Sequence, residues 1–196
     1  MNIMAARSHP SLRASVSRFH LLAAPMKKPF RYLCLGLLAV FAVGFVVPER
    51  VKTPVAGASA KDWNARSFWF EPWGSSGVHK GIDIFGKTGT AVLSTTDGIV
   101  LFTGELAKGG KVVLVLGPRW RLHYFAHLDA INTHALSPVA SGSRIGTLGA
   151  SGNAQGKPPH LHYSIVRLLP APWKMDGTTQ GYKKAFFMDP GTYLLD

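Results

Sequence analysis

The stretch that decides the fold runs from residue 109 to residue 128 and reads GGKVVLVLGPRWRLHYFAHL. It holds two runs of β-prone residues, 111–116 and 121–126, with a Gly-Pro pair between them. Similar short runs occupy 91–93, 98–102 and 161–166, again between glycine-rich turn signals. Short runs at this spacing are typical of antiparallel all-β domains. We therefore predict a mainly β fold, a small antiparallel sheet or sandwich.

The composition fits one globular domain with an apolar addition. The chain has 196 residues, 46% hydrophobic and 16% charged, which is enough to bury a core and unlike a disordered chain. Cys34 is the single cysteine, so an intramolecular disulfide and a four-cysteine zinc site are both excluded. Any metal must be held by histidine and carboxylate.

The positive charge is concentrated in the N-terminal third. The formal net charge is +12, and residues 1–60 hold eight basic residues against one acidic residue. The milder excess in residues 61–196 includes no run of Lys or Arg. Nucleic-acid binding usually needs a clustered basic patch, so we expect no nucleic-acid partner.

An uncharged apolar stretch occupies residues 32–48, after a basic flank that contains Lys27, Lys28 and Arg31. Its 17 residues reach the lower limit of a membrane span and exceed the usual core of a cleavable signal. The small-residue site at 58–60 lies far from this core for cleavage, so a retained anchor is favoured and a cleaved signal is the alternative. Basic residues before the span predict a cytoplasmic N-terminus. In a bacterium, this is a single pass through the inner membrane with the domain on the periplasmic side.

We accordingly divide the chain into four parts. Residues 1–31 form a basic cytoplasmic segment, 32–48 the transmembrane anchor or signal helix, 49–61 a linker and 62–196 the domain. Met26 could open an ordinary anchor sequence by itself, which leaves the start between Met1 and Met26 open. Several aromatic residues lie within 63–73, where they cap the domain core, form a wall of a binding cleft or contact the membrane surface.

A first candidate metal motif is His79-Lys80-Gly81-Ile82-Asp83. The glycines at 77 and 81 argue against a helix, and Gly81 would let the chain curve so that imidazole and carboxylate reach one ion at about 2.0–2.2 Å. The alternative to a metal site is an exposed ion pair between His79 and Asp83.

A second motif is His160-Leu161-His162 inside an apolar strand. Residues i and i+2 share a face of a strand about 6.5–7 Å apart, so one histidine could coordinate an ion while the other touches its bound water. A solvent-facing pair on a sheet is the alternative.

A third histidine, His127, ends the strand-like run Tyr124-Phe125-Ala126. His123 precedes it by four residues, but the glutamate of a helical HExxH motif is missing and the local pattern is β, so we expect His123 to be structural. Two histidines, one carboxylate and an open fourth position make a catalytic zinc site. Further histidines there could exchange protons, which is hydrolytic chemistry on an amide.

The order of these motifs resembles a known family. His79-x-x-x-Asp83, Tyr124-x-x-His127-Leu128, the Gly-x-x-Gly-x-x-Gly run from Gly146 and His160-Leu161-His162 together look like the lysostaphin/LytM-type zinc metallopeptidases, the M23 peptidases. The resemblance covers about residues 72–194. It implies a small β-sheet with a groove, and hydrolysis of peptide cross-links in bacterial peptidoglycan.

Carried over by motif, the resemblance makes His79, Asp83 and His162 the ligands of one Zn²⁺ per chain. His127 and His160 become the catalytic histidines. The family commonly has glutamate where Ser164 stands, and residues 168–184 exceed its usual linker. This segment either borders the substrate groove or is a surface insertion.

Three functions compete on this pattern. The first is a membrane-anchored zinc endopeptidase acting on peptidoglycan stem peptides. The second is a non-catalytic LytM-like wall-binding module that activates a separate amidase; degenerate family members of that kind lack the metal ligands. The third is a zinc peptidase whose target is protein.

Overall fold

The computed structural model describes residues 27–195. The chain divides into two units between Leu37 and Leu38, and each unit is described by itself. Residues 1–26 of the predicted cytoplasmic segment, with the alternative starts Met1 and Met26, lie outside the described range.

Helix α1 (Lys28–Val46) has 19 residues and no buried side chain. Among the described residues it is the one helix long and apolar enough to cross a membrane. At 1.5 Å per residue it measures about 28 Å, close to the thickness of a bilayer core. The helix begins four residues before the start of the predicted span, 32–48, and ends two residues before the end of that span. Pro48 explains the early end, since a proline disfavours helical geometry in the residue before it.

The remaining described elements form an antiparallel sheet with the order β1-β8-β5-β4-β3-β6, to which β2, β7 and β9 add as side pairings. The strands are β1 (Ile82–Phe85), β2 (Ala91–Leu93), β3 (Gly98–Leu106), β4 (Gly110–Gly117), β5 (Arg121–Ile131), β6 (Pro138–Val139), β7 (Arg144–Leu148), β8 (His160–Arg167) and β9 (Phe187–Met188), and a short helix α2 (Pro190–Tyr193) follows. The predicted mainly antiparallel β fold is confirmed, although several strands run past their predicted ends.

Strand alternation separates the core from the polar face of the sheet. In β8, Leu161, Tyr163 and Ile165 are fully buried in the core. The residues that alternate with them along the strand, His160 and His162 among them, therefore point to the opposite face. The neighbouring strand β1 does the same, with Ile82 and Ile84 in the core and Asp83 between them. The register places Asp83 directly opposite His162.

His123 lies on the core side of β5. Its side chain is fully buried, and its Nδ1 lies 2.7 Å from the hydroxyl oxygen of Tyr163. Burial, and then the charge of Arg121, lower the pKa of His123 to about 3. The residue is thus a neutral member of the core, away from the polar face.

The prediction that His127 ends its strand is wrong. Strand β5 continues to Ile131, and its pairing with β4 shifts between the pairs Val113–Phe125 and Lys111–Leu128. His127 stands in this irregular stretch with a φ of 65°, in the left-handed region. A bulge adds one residue on one strand and redirects the side chain there, so the strand can run on while His127 turns toward the polar face.

Candidate metal centre

Three side chains converge on the polar face where β1 and β8 meet. The Nε2 atom of His79 lies 3.2 Å from Oδ1 of Asp83 and 3.1 Å from Nδ1 of His162. The His162 Nδ1 atom is 2.9 Å from the same Asp83 oxygen. In a tetrahedral zinc site with bonds of about 2.0–2.1 Å, neighbouring ligand atoms stand roughly 3.3 Å apart. The two nitrogens and one oxygen therefore fit a divalent cation with little movement.

The far side of each imidazole is held by the protein. His79 is buried, and its Nδ1–H donates to the carbonyl of Ser67 at 2.9 Å. This bond leaves the lone pair on Nε2, the atom that faces Asp83. Trp73 stacks on the same ring, with centroids 3.9 Å apart. The ring of His79 thus has a fixed tautomer and a fixed plane.

Ser164 does the same for His162. Its Oγ donates to the carbonyl of Lys80 at 2.8 Å and lies 3.0 Å from Nε2 of His162. Because the hydroxyl hydrogen is already used, the oxygen accepts from Nε2–H, and the lone pair of His162 is on Nδ1. Partners of this kind orient metal-binding histidines in general. A serine here replaces the glutamate expected from the resemblance.

Asp83 is ionised in this setting. Burial by itself would raise its pKa, but hydrogen bonds from His162 and His79, which form when protons rather than a cation occupy the centre, outweigh burial and hold the pKa well below its usual range. A carboxylate that stays charged, 14% exposed between two imidazoles, is a suitable anionic ligand for a cation.

Two more histidines stand beside the three converging groups. His127 Nδ1–H donates to the carbonyl of Ser151 at 2.9 Å, and His160 Nδ1–H donates to that of Pro158 at 2.8 Å. Both rings therefore keep Nε2 available for proton transfer. Their centroids are 5.0 Å apart, and Nε2 of His160 is 3.9 Å from Oδ2 of Asp83. Burial lowers the pKa of His127 to about 4, although its bond to Ser151 opposes the shift.

These groups line a cleft of about 210 Å³. Its walls include Trp73, Tyr124 and two lysines, Lys80 and Lys108. The aromatic cluster of 63–73 thus has two of the roles expected of it, because Trp63 is buried in the core and Trp73 is in the wall of the cleft.

Residues 168–184 reach the segment that carries the first motif. The side-chain amide of Gln180 donates to the carbonyl of Ser76 at 2.9 Å, and the indole of Trp69 donates to the carbonyl of Thr179 at 3.2 Å. Sequence reasoning did not find these contacts or the carbonyl of Ser67. They join positions about a hundred residues apart, or use backbone atoms, and neither leaves a sequence signal.

Comparison with known families identifies the chain. Residues 77–174, half of the sequence, match the model of peptidase family M23. The chain belongs to this family. The M23 match contains all five residues of the candidate centre.

Curated relatives of this M23 chain include enzymes and activators. It is 37% identical over 117 residues to the L-Ala–D-Glu endopeptidase of Bacillus subtilis, covering 54% of this chain and 35% of that protein. It is 32% identical over 144 residues to the murein hydrolase activator NlpD of Salmonella dublin, covering 72% of this chain and 37% of that protein. The chain thus spans about a third of the length of these relatives.

Solved structures share the fold. The catalytic domain of lysostaphin from Staphylococcus simulans matches with a TM-score of 0.55 and 23% identity, over 70% of this chain and 98% of that one. A putative glycyl-glycine endopeptidase lytM from Ruminococcus gnavus matches with a TM-score of 0.57 and 23% identity, over 87% and 73%. The M23 chain therefore has a lysostaphin-like fold.

Proposed function

We propose that this chain is a zinc-dependent endopeptidase that hydrolyses peptide cross-links of bacterial peptidoglycan. The observation that carries the proposal is the convergence of His79, Asp83 and His162 within 3.2 Å of one another, beside two further histidines. M23 members act on peptidoglycan, and the family includes both endopeptidases and activators of other hydrolases. A complete donor set with two candidate proton carriers favours the enzyme.

The proposed roles follow from the atoms that remain free. His79 Nε2, Asp83 Oδ1 and His162 Nδ1 would hold the zinc ion. When bound, zinc supplies Lewis-acid chemistry, which polarises a carbonyl and makes water nucleophilic near neutral pH. His127 is neutral at pH 7 because burial keeps its pKa at about 4, so its Nε2 can take the proton of the attacking water and return it to the leaving amine. His160, when protonated, would donate from Nε2 to the developing oxyanion.

Three variants of the full chain, purified in detergent, test these roles. We expect one zinc per chain and chelator-sensitive release of muropeptides from cross-linked peptidoglycan, read by mass spectrometry. His127→Ala should keep the zinc and lose about 10²–10⁴-fold in rate, since it removes a proton carrier and no ligand. Asp83→Ala should lose both zinc and activity.

His134→Ala is the matched control, because this exposed histidine contacts Ser137 outside the cleft and should change neither zinc nor rate. Full turnover by His127→Ala would overturn its role. A zinc-loaded chain that leaves every muropeptide intact but cuts a glycine-rich protein would favour the protein-directed peptidase instead.

The second candidate is an activator of a separate wall amidase. The specific observation in its favour is the similarity to murein hydrolase activators over 72% of this chain. Adding the chain to an amidase and a peptidoglycan substrate separates the two functions. Stimulation that survives Asp83→Ala, with no cleavage by the chain alone, would support the activator.

We also propose that α1 anchors the chain in the inner membrane, with the M23 domain on the periplasmic side. Its length and apolar composition support a span, and the basic residues Lys27, Lys28 and Arg31 support a cytoplasmic start. Carbonate extraction of cell membranes tests the anchor, and protease accessibility in spheroplasts tests the side.

A further inference from the structure

A second, larger cavity lies at the end of the sheet where β5 begins at Arg121 and β8 ends at Arg167; we call this end the basal end. The cavity measures about 500 Å³ and does not include the candidate metal centre. Two acidic side chains, Glu49 and Asp189, line it. Five basic side chains line it as well: Arg119, Arg121, Arg167, Lys174 and Lys184.

The protein neutralises this positive charge only in part. Glu49 accepts a hydrogen bond from Arg121 at 2.6 Å, and the carboxylate of Asp189 caps α2. Lys184 pairs with Asp176. Among the described residues, Arg167 and Lys174 have no carboxylate partner. The cavity thus has a net positive character that suits an anion.

Arg167 faces Arg121 directly in the register of β5 and β8. Like charges opposite each other on neighbouring strands are unfavourable. Burial, and then the charge of Arg121, lower the pKa of Arg167. An external anion at this position would relieve the repulsion, because Glu49 pairs with Arg121 and Arg119 but not with Arg167.

Exposed aromatic and aliphatic side chains lie in residues 168–186, the segment that contributes Lys174 and Lys184 to the cavity. Trp173 is 79% exposed and immediately precedes Lys174, and Tyr182 is 61% exposed. The other exposed apolar residues of this segment are Leu168, Leu169, Met175 and Phe186. A surface that mixes Trp, Tyr and Lys in this way is typical of a membrane–water interface.

The turn between β4 and β5 contributes one more basic residue, Arg119, and one more aromatic residue, Trp120. Arg119 and Trp120 both have a φ of 55°, a conformation that short hairpin turns usually give to Asn and Gly. Left-handed geometry is uncommon for such residues and has a cost in backbone energy. The carbonyl of Trp120 accepts from the backbone N–H of Leu168 at 3.0 Å, which joins the turn to the apolar segment.

Trp120 also contacts the part of α1 that belongs to the unit Leu38–Asp196. Its indole N–H donates to the carbonyl of Phe41 at 2.9 Å, and the two rings stack with centroids 5.8 Å apart. Gly44 makes room for this contact, because a Cβ there would lie 2.5 Å from the indole nitrogen. Phe41 is five residues before the end of the helix, about 7.5 Å along its axis. Tryptophan is enriched at membrane–water interfaces, which a spanning helix meets near its ends.

We propose that the basal end is a docking surface for the anionic phospholipid headgroups of the membrane that α1 enters. Glu49 follows the last residue of α1 by three positions, so the chain holds the cavity within about 11 Å of the helix end. Headgroup phosphates would fill the basic cavity, and Trp120 and Trp173 would lie at the interface. The inference rests on the anchoring proposed above.

Docking also orients the candidate metal centre. His162 and Arg167 are five residues apart on β8, which corresponds to about 17 Å along the strand. The cleft therefore lies toward the opposite end of the strand from the docked surface, where it can meet a polymer outside the membrane.

The test uses the full chain in nanodiscs of neutral phosphatidylcholine or of a 3:1 mixture with anionic phosphatidylglycerol. Hydrogen exchange followed by mass spectrometry should show slower exchange of 117–121 and 168–186 in the anionic discs. Each basic residue removed near an anionic surface should reduce the docking equilibrium about fivefold. The double variant Arg167→Gln/Lys174→Gln should thus lose about 25-fold.

The matched control is Lys87→Gln/Lys157→Gln, which removes two exposed charges outside the cavity and should change nothing. If the double variant unfolds, Lys174→Gln alone keeps the test, because its side chain makes no described hydrogen bond, and it should lose about fivefold. An equal loss in control and cavity variants would overturn the proposal.

Co-elution of the chain with the discs reports anchoring separately from docking. A chain that co-elutes but exchanges equally in both lipid mixtures overturns docking and leaves the anchor. A chain that does not co-elute overturns both. Protection by inorganic phosphate alone in neutral discs would make the occupant a free anion and overturn membrane docking.

Discussion

Ser164→Ala tests whether the Ser164 hydroxyl fixes the tautomer of His162 in the candidate metal centre. The substitution removes one hydroxyl that donates to the carbonyl of Lys80 at 2.8 Å and accepts from Nε2 of His162 at 3.0 Å. Ser164 is buried, so water does not readily replace the hydroxyl. The Nε2–H group of His162 then loses its partner, and the tautomer with the lone pair on Nδ1 is no longer favoured.

The expected effects on zinc and on folding are separable. Loss of a partner behind a metal-binding histidine typically costs 10–100-fold in metal affinity, which corresponds to about 1.4–2.7 kcal/mol. Leaving one buried donor unsatisfied costs about 1–3 kcal/mol of folding free energy. The variant should therefore lose both zinc affinity and stability, whereas a variant with a purely structural defect should lose stability alone.

Ser94→Ala provides that structural control. Ser94 is fully buried and donates to the carbonyl of Thr96 at 2.7 Å, outside the cleft. Competition with a chromophoric chelator measures zinc affinity, and urea unfolding in excess chelator measures stability without metal. If Ser164→Ala bound zinc as tightly as the parent chain, Ser164 would not fix the tautomer of His162.

Two further predictions concern the core. Because the folded pKa of His123 is about 3, the unfolded chain binds a proton that the folded chain does not between pH 6.5 and 3. The free energy of unfolding should therefore fall with decreasing pH, and His123 should contribute about 1.4 kcal/mol per pH unit to this slope. His123→Gln should lose that contribution. Equal slopes for the parent chain and the variant, measured by urea unfolding at several pH values, would refute the prediction. Gly117→Ala places a Cβ 2.6 Å from the hydroxyl oxygen of buried Thr96 and should cost about 1–3 kcal/mol, while Gly177→Ala, with open space around it, should be neutral in the same assay.

Local patterns predicted the parts of the molecule that depend on strand periodicity. Alternation in β8 places His160 and His162 on one face, and Gly81 precedes the strand that carries Asp83. These features need only the two-residue repeat of a strand and the order of the motifs. The register that sets Asp83 opposite His162 is a long-range pairing, and the family resemblance supplied what periodicity could not.

His127 marks the limit of that reasoning. Its position in the cleft depends on an irregular stretch of β5 and on a φ of 65°, for which a histidine gives no local sequence signal. The backbone N–H of His127 donates to the carbonyl of Gly109 at 2.8 Å, so the turn before β4 fixes this geometry. The paired left-handed residues Arg119 and Trp120 escaped prediction for the same reason, since their conformation is imposed by the hairpin they close.

The core and the cleft lie on different faces of the same strands. The residues on the cleft face are therefore not needed to form the core. Leu161, Tyr163 and Ile165 hold β8 in the sheet whatever the residues between them are. Folding therefore does not require a carboxylate and two imidazoles within 3.2 Å of one another on the other face. Withdrawing such groups from water is costly unless a cation or proton shares them. These three groups cost folding free energy, and the fold does not need them. The cation they would bind best explains why they lie together.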